Sequence, residues 1–178
     1  MNDLEQRYRA LSRQFHPDYF YNATPAERRT SLERSSYLND AYRTLKSPAT
    51  RVEYLLKLEG MDASSESKTG SRGVPPAGLL EEVFALNEEL DEVRDMRASG
   101  APEPRWRERL ESARRPIEKK REAHEAELAQ LTVRWDAALD TGAPADERRR
   151  ILDALHERFL ERNYIGNLLS GIERELGS

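Results

Sequence analysis

The residues with the clearest chemical character are His16, Pro17 and Asp18, which stand side by side after an amphipathic segment. An imidazole next to a carboxylate suits acid–base catalysis, metal binding, or recognition by another protein. Catalysis needs a nucleophile or a substrate pocket, and the neighbouring residues supply neither. A metal site needs more ligands than these two. Two interpretations stay open: a helix end at which Asp18 caps backbone groups and His16 is exposed, or a surface signal for a partner.

Composition narrows the classes of function. The chain has 178 residues, three histidines and no cysteine, which excludes disulfides, zinc fingers and cysteine-ligated iron–sulfur clusters. We expect no cofactor and no metal. Because no set of catalytic residues is apparent, we also expect no enzyme activity. The net charge of −4 argues against a nucleic-acid partner. No apolar run is long enough to span a membrane and no signal peptide is recognised, so we expect a cytoplasmic protein without membrane association.

The segments around the His-Pro-Asp triplet are predicted to be helices. Residues 3–15 carry an apolar face at spacings of four, three and four residues: Leu4, Tyr8, Leu11 and Phe15. Arg9 and Arg13 fall on the opposite face, and Pro17 ends the helix. A capping-box pattern at 24–27 predicts a second helix that runs to about Lys46. A third helix follows and ends at Gly60.

The second half of the chain is predicted to be a helical bundle behind a linker. Residues 61–78 are rich in Ser, Gly and Pro and indicate a domain boundary. Three longer amphipathic helices follow at about 79–97, 103–140 and 146–176, joined by short loops that favour an antiparallel three-helix bundle. The middle helix has apolar residues in near-heptad spacing, His124 and Leu139 among them, and Pro116 should kink or split it.

One face of the helix at 79–97 stands out. Its core stripe contains five residues: Leu79, Val83, Leu86, Leu90 and Val93. Away from that stripe, steps of four residues define what we call the outer strip: Leu80, Phe84, Glu88 and Glu92. The strip is either the edge of a broad apolar face with solvated acids, or a docking surface for a partner protein. Tyr164 and Leu168, off the stripe of the last helix, would extend such a surface.

Two segments of the N-terminal half resemble a known family. The sequence YRALSRQFHPDYF at 8–20 is similar to the signature of J-domain co-chaperones, the DnaJ family, in which a basic helix leads directly into His-Pro-Asp. The sequence LNDAYRTLKSP at 38–48 is similar to the end of the following helix in that family. More narrowly, SPATRVEYLLKLEG at 47–60 and LLEEVFALNEELDEV at 79–93 resemble HscB, the J-domain co-chaperone family of iron–sulfur cluster assembly.

The resemblance implies a function through partners. In this family the J-domain binds an ATPase chaperone of the HscA or DnaK type and stimulates its ATP hydrolysis, while the bundle binds the scaffold protein IscU. The positions that match the chaperone-binding surface are Tyr8, Arg9, Arg13, His16, Pro17 and Asp18. Those that match the client-binding surface are Leu80, Phe84, Glu88, Glu92 and Tyr164. Departures occur at Glu81, where the family tends to have an apolar residue, and at Ala85, where it tends to have an acid.

We therefore expect an all-α protein with a J-domain at 1–60, a linker at 61–78 and a client-binding three-helix bundle at 79–178. The family has a further short helix before the basic one, and this chain starts at the basic helix, so we expect a J-domain that lacks its first helix. Two alternatives remain. The chain is a J-domain co-chaperone for a different client, or a helical scaffold that oligomerises through its heptad segments.

Overall fold

The computed structural model describes residues 2–61 and 75–177, and these ranges form six α-helices and two 3-10 turns without a strand. The helices are α1 (Asn2–Phe15), α2 (Pro25–Lys46), α3 (Pro48–Leu58), α4 (Leu80–Ala98), α5 (Glu103–Asp140) and α6 (Ala145–Gly177). The 3-10 turns are Pro17–Phe20 and Ala77–Leu79. The all-α expectation is confirmed. Most of the predicted linker lies outside the described residues. Within those ranges no helix combines the length and apolar character needed to cross a membrane.

Local sequence signals set the helix ends. The Thr24 hydroxyl accepts a hydrogen bond from the Glu27 backbone N–H at 3.3 Å, and the Glu27 carboxylate accepts one from the Thr24 N–H at 2.9 Å. This is the reciprocal capping box that the sequence predicts, with Pro25 at the first helical position. Glycines with φ near +70° follow α3, α4 and α5, a conformation that residues with a Cβ adopt only under strain.

Contacts between residues divide the chain into an N-terminal unit, Met1–Leu55, and a C-terminal unit, Leu56–Ser178. In the N-terminal unit α1 lies antiparallel to α2. Near one end of the pair, the Ser31 hydroxyl donates a hydrogen bond to the Phe15 carbonyl at 2.9 Å. Near the other end, the Tyr8 hydroxyl donates one to the Asn39 side chain at 2.7 Å. Of the described residues in α1 and α2, Ser31 alone is buried. Polar and aromatic contacts therefore join these two helices.

The C-terminal unit is an antiparallel three-helix bundle. Lys120 of α5 bonds Glu82 near the start of α4, and Glu125 of α5 lies 3.6 Å from Arg162 of α6. Arg97 near the end of α4 pairs with Glu175 of α6 at 3.2 Å, so α4 and α6 run parallel. The buried apolar cluster inside the three helices contains Leu79, Val83, Leu86, Val93, Trp106, Leu110, Ile117, Ile165, Leu169 and Ile172.

Helix α5 bears on two expectations. It runs as one helix from Glu103 to Asp140 with Pro116 inside it, so of the kink or split predicted at Pro116 the split does not occur. Proline removes one backbone donor, and the buried side chains of Leu110 and Ile117 on either side hold the helix in the bundle. Leu139, expected on the apolar stripe, is 47% exposed, and Ala138 is buried instead. A straight α-helix drifts relative to a heptad pattern over this length.

A charged cluster lies buried between α5 and α6. The His124 ring Nε2 is 2.7 Å from a Glu161 carboxylate oxygen, and an Arg158 guanidinium nitrogen donates to that same oxygen at 2.5 Å. The ring Nδ1 is 3.0 Å from the Lys120 carbonyl, and because a carbonyl only accepts, Nδ1 carries a proton there. We call His124, Glu161 and Arg158 the buried ionic cluster. It satisfies polar groups that would otherwise be costly inside the bundle.

Candidate functional site

The His-Pro-Asp triplet forms an exposed turn directly after α1. His16 is the N-cap of the 3-10 turn that starts at Pro17, and its ring Nδ1 accepts a hydrogen bond from the Asp18 backbone N–H at 3.3 Å. The Asp18 side chain is 86% exposed and that of His16 is 49% exposed. The helix-end interpretation is therefore wrong in having Asp18 cap backbone groups and right in having His16 exposed. Because Pro17 takes the first position of the turn, the preceding residue becomes the cap and the aspartate is left facing solvent.

The turn has no features of a catalytic or metal centre. Its imidazole nitrogen and the Asp18 carboxylate are 3.6 Å apart at a solvent-facing position. Across the described part of the chain, no three histidine, aspartate or glutamate side chains come together in a way that would hold a metal ion. The geometry suits recognition by another protein, because the turn presents polar groups from a backbone that Pro17 restrains.

The arginines of α1 lie on its exposed face, as the helical spacing predicts. Arg9 pairs with Glu5 at 2.6 Å and Arg7 with Asp3 at 3.0 Å, both one turn apart on the same helix. Arg13, in the last turn before the His-Pro-Asp triplet, is exposed and has no ion pair within the described residues. Exposed pairs of this kind are worth at most about 1 kcal/mol, so a partner's carboxylates can replace them readily.

Tyr8 differs from the other residues assigned to chaperone binding, because it faces the interior of the N-terminal unit. Its ring stacks on Tyr42 of α2 with centroids 4.0 Å apart and an angle of 16° between the planes. Its hydroxyl is bound to Asn39, also on α2. The structure thus shows Tyr8 fixing α1 against α2. Direct contact with a chaperone remains a prediction for this residue.

The outer strip lies on the solvent side of α4. Phe84 is 70% exposed and Leu80 is 38% exposed, while Val83 and Leu86 on the same helix are buried. Helical spacing alone therefore placed these two side chains correctly. An exposed phenylalanine beside an exposed leucine is an apolar patch on an otherwise charged helix, which is typical of a protein-binding surface.

The two acids of the outer strip have different surroundings. Glu88 is exposed and has no ion pair within the described residues. Glu92 pairs with Arg109 of α5, which also donates a hydrogen bond to Glu89 at 2.5 Å. Glu89 and Glu92 keep the pKa of the Arg109 guanidinium above its usual value, mainly through the hydrogen bond with Glu89. Sequence reasoning missed Arg109, because its partners lie on another helix.

Tyr164 and Leu168 do not share the exposure of the outer strip. Both are partly buried and pack against the apolar cluster of the bundle. Loss of hydration on burial raises the pKa of the Tyr164 hydroxyl. The buried positions of this part of α6 are those of its stripe, Ile165, Leu169 and Ile172, and Tyr164 and Leu168 lie beside that stripe as the spacing predicts. A helix with two neighbours in a bundle buries a broader face than a single stripe. Their part in client binding remains a prediction.

Comparison with known proteins gives two informative similarities. No protein-family model matches the chain. The structure of the chaperone HscB from Vibrio cholerae is similar with a TM-score of 0.58 and 26% identity, over 97% of this chain and 85% of that one. The structure of the human co-chaperone HscB is similar with a TM-score of 0.62 and 23% identity, over 96% of this chain and 72% of that one. The similarity thus spans both units.

Proposed function

Since this chain is an HscB-like protein, we propose that it is a J-domain co-chaperone that delivers an IscU-type scaffold to an HscA- or DnaK-type chaperone. In this proposal it stimulates the ATPase of the chaperone and serves iron–sulfur cluster assembly. One observation carries the proposal: a single chain bears an exposed His-Pro-Asp turn after a basic helix in one unit and an exposed apolar strip in the other. Two partners can bind such a chain at separate surfaces.

The proposal assigns the J-domain to 1–60, the linker to 61–78 and the client-binding bundle to 79–178. The chaperone surface comprises Tyr8, Arg9, Arg13 and the triplet at 16–18. Exposed arginines on α1 attract an acidic surface of the chaperone and raise the rate of association. The restrained turn then makes contacts that favour one conformation of the chaperone. In this proposal the chain does not hydrolyse ATP itself. Its binding at one site of the chaperone changes the activity of another site, the ATPase site.

The client surface is the outer strip, with Tyr164 at its edge. Phe84 exposes most of a large aromatic side chain, and burying such a group against a partner is worth about 2 kcal/mol. Glu88 and Glu92 lie beyond it on the same helix and are suited to the polar rim of an interface. The oligomerising scaffold is the weaker alternative, because α5 and α6 already pair with each other within the bundle.

The test is the steady-state ATPase of an HscA- or DnaK-type chaperone, measured with this protein in the presence and absence of purified IscU. We expect stimulation that increases further with IscU. His16→Gln should abolish both effects. Phe84→Ala should remove the increase with IscU and keep the basal stimulation. Val133→Ala is the matched control, because Val133 is an exposed apolar residue of the same unit and lies outside the strip.

Each outcome separates the alternatives. Stimulation that does not respond to IscU would indicate a J-domain co-chaperone for a different client. A chain that is folded by circular dichroism but stimulates neither chaperone would contradict the proposal. Self-association in light scattering, without any effect on the ATPase, would favour the oligomerising scaffold.

A further inference from the structure

An open groove lies between α4 and α5 beside the outer strip. Its volume of about 760 Å³ falls within the range of roughly 300–1,000 Å³ that is typical of ligand sites. Its apolar lining comes from Ala85, Leu86, Met96, Ala113, Pro116 and Ile117. The groove joins the strip directly, because Glu81 and Ala85 each follow a strip residue in sequence and line the groove. Arg109, which pairs with Glu92 of the strip, lines it as well.

Small residues keep the groove open. Ala85 on α4 is exposed, and Ser112 and Ala113 face it from α5. Pro116, one turn after Ser112, also lines the groove and has no backbone N–H. The Ser112 carbonyl therefore lacks the donor that an α-helix normally supplies four residues later. The small side chains of Ala85, Ser112 and Ala113 leave room between the two helices for a guest side chain.

The charges of the groove favour a cationic guest. Four glutamates and two arginines line it: Glu81, Glu82, Glu89, Glu108, Arg105 and Arg109. Lys120 pairs with Glu82, and Arg109 with Glu89. Within the described residues, Glu81 and Glu108 have no ion pair. Arg105 is eleven residues from Pro116 on α5, or about 16 Å along the helix, and Arg109 is held by Glu89 and Glu92. Glu81 lies at the Pro116 end of the groove, because its neighbour Glu82 pairs with Lys120, one turn after Pro116.

We propose that this groove extends the client site and takes a lysine or arginine side chain from an extended segment of the client protein. An apolar residue of that segment lies on Leu80 and Phe84, and the cation reaches Glu81. The inference rests on the proposed function, because the groove adjoins the outer strip. Both positions at which this chain departs from the resembled family, Glu81 and Ala85, line the groove. The groove therefore contributes to the choice of client.

The first test is isothermal titration of the full chain with purified IscU at two salt concentrations. Glu81→Lys should weaken binding about tenfold and reduce its salt dependence, because it replaces attraction with repulsion. Ala85→Leu should weaken it similarly by filling the groove. Glu122→Lys is the matched control on α5, exposed and outside the groove, and should change affinity less than about twofold. If Phe84→Ala weakens binding and both groove variants bind like the wild type, the groove proposal is overturned while the proposed function stands.

A second test does not depend on IscU. The probe is a pair of peptides, acetyl-Leu-Ala-Lys-Lys-amide and acetyl-Leu-Ala-Gln-Gln-amide, titrated into the ¹⁵N-labelled full chain. The lysine peptide should shift the amide signals of Ala85, Ser112 and Ala113, and Glu81→Lys should abolish those shifts. Equal shifts with both peptides, or none with either, would overturn the groove proposal even if IscU binds at the strip. If the lysine peptide shifts these signals but the chain does not bind IscU, the groove proposal stands and IscU is not the client.

Discussion

In the N-terminal unit α1 and α2 meet through hydrogen bonds and stacked rings, whereas in the C-terminal unit three helices meet through a continuous apolar cluster. Within the described residues of the N-terminal unit, only Ser31 and Val52 are buried. The bundle buries apolar side chains from all three of its helices. Apolar burial is the main source of folding free energy, so we expect the bundle to be the more stable unit and α1 and α2 to open first.

This difference relates structure to the proposed roles. A unit with little core presents most of its side chains to solvent, and α1 uses that surface for arginines and the His-Pro-Asp turn. The bundle exposes one short apolar strip on a helix whose other face is deeply buried. We therefore expect the N-terminal unit to bind a partner mainly through charged side chains, and the C-terminal unit to bind one through shape complementarity and apolar area. Three substitutions test whether the two units are also independent in stability.

The largest effect is expected from Leu110→Ala. Leu110 is fully buried in the apolar cluster of the bundle, and truncation at such a site costs about 3 kcal/mol of unfolding free energy. Native-state hydrogen exchange should show the loss of protection in α4, α5 and α6, with amides of α1 and α2 unchanged. An equal loss of protection in α1 and α2 would mean that the two units unfold together.

A smaller effect is expected from Tyr8→Phe in the N-terminal unit. The substitution keeps the stack on Tyr42 and removes the hydrogen bond to Asn39, which costs about 1 kcal/mol. Hydrogen exchange should report faster opening of α1 and α2 alone. Tyr37→Phe is the matched control, because Tyr37 lies on α2 and is 77% exposed. If the control destabilises α2 as much as Tyr8→Phe does, the hydrogen bond is not what holds the helices.

The smallest effect is expected from Lys120→Met, which should change how the stability of the bundle depends on acid pH. The Lys120 ammonium lowers the pKa of Glu82 in the folded chain, chiefly through a side-chain hydrogen bond. The Glu82 carboxylate therefore binds a proton more readily in the unfolded chain than in the folded chain. The stabilisation is present above the usual Glu pKa, 4.5, and is lost as the pH falls through the lowered value.

Denaturant unfolding at pH 6 and pH 3 measures this contribution. The wild type should lose more unfolding free energy between the two pH values than Lys120→Met, by less than about 1 kcal/mol because the pair is partly solvated. Lys119→Met, with an exposed lysine on the same helix, should behave like the wild type. Identical acid sensitivity of the wild type and Lys120→Met would show that the pair adds nothing to the stability of the bundle.

Features that depend on neighbours along the chain could be predicted from sequence. The capping box at Thr24 and Glu27 is complete within four residues, and its hydrogen bonds are those expected. The exposure of Leu80 and Phe84 follows from the angle between them and the core stripe on one helix. The all-α fold and the similarity to HscB followed from such local patterns together with the motif at 8–20.

Features that depend on how helices align with one another could not be predicted. Arg109 meets Glu89 and Glu92 because α5 returns along α4, and those residues are about twenty positions apart in sequence. Tyr164 lies beside the stripe of its own helix, and its partial burial comes from the neighbouring helices of the bundle. The burial of His124 followed from its place on the stripe, whereas its partners Glu161 and Arg158 come from another helix.

The buried ionic cluster has a further consequence for the register of α5 and α6. Two long amphipathic helices can slide past each other by one turn, about 5.4 Å, and still bury apolar faces. Such a slip would bring Ile165 towards His124 and separate the His124 ring from Glu161, while Arg158, on the same helix as Glu161, would stay beside it. Leaving the buried imidazole without its hydrogen-bond partner costs about 1–3 kcal/mol. The cluster thus selects one axial position. His124 lies fifteen residues from Arg109 on α5, about 22 Å along the helix, so this polar contact inside the bundle fixes where Tyr164 of α6 lies along α5 relative to Arg109.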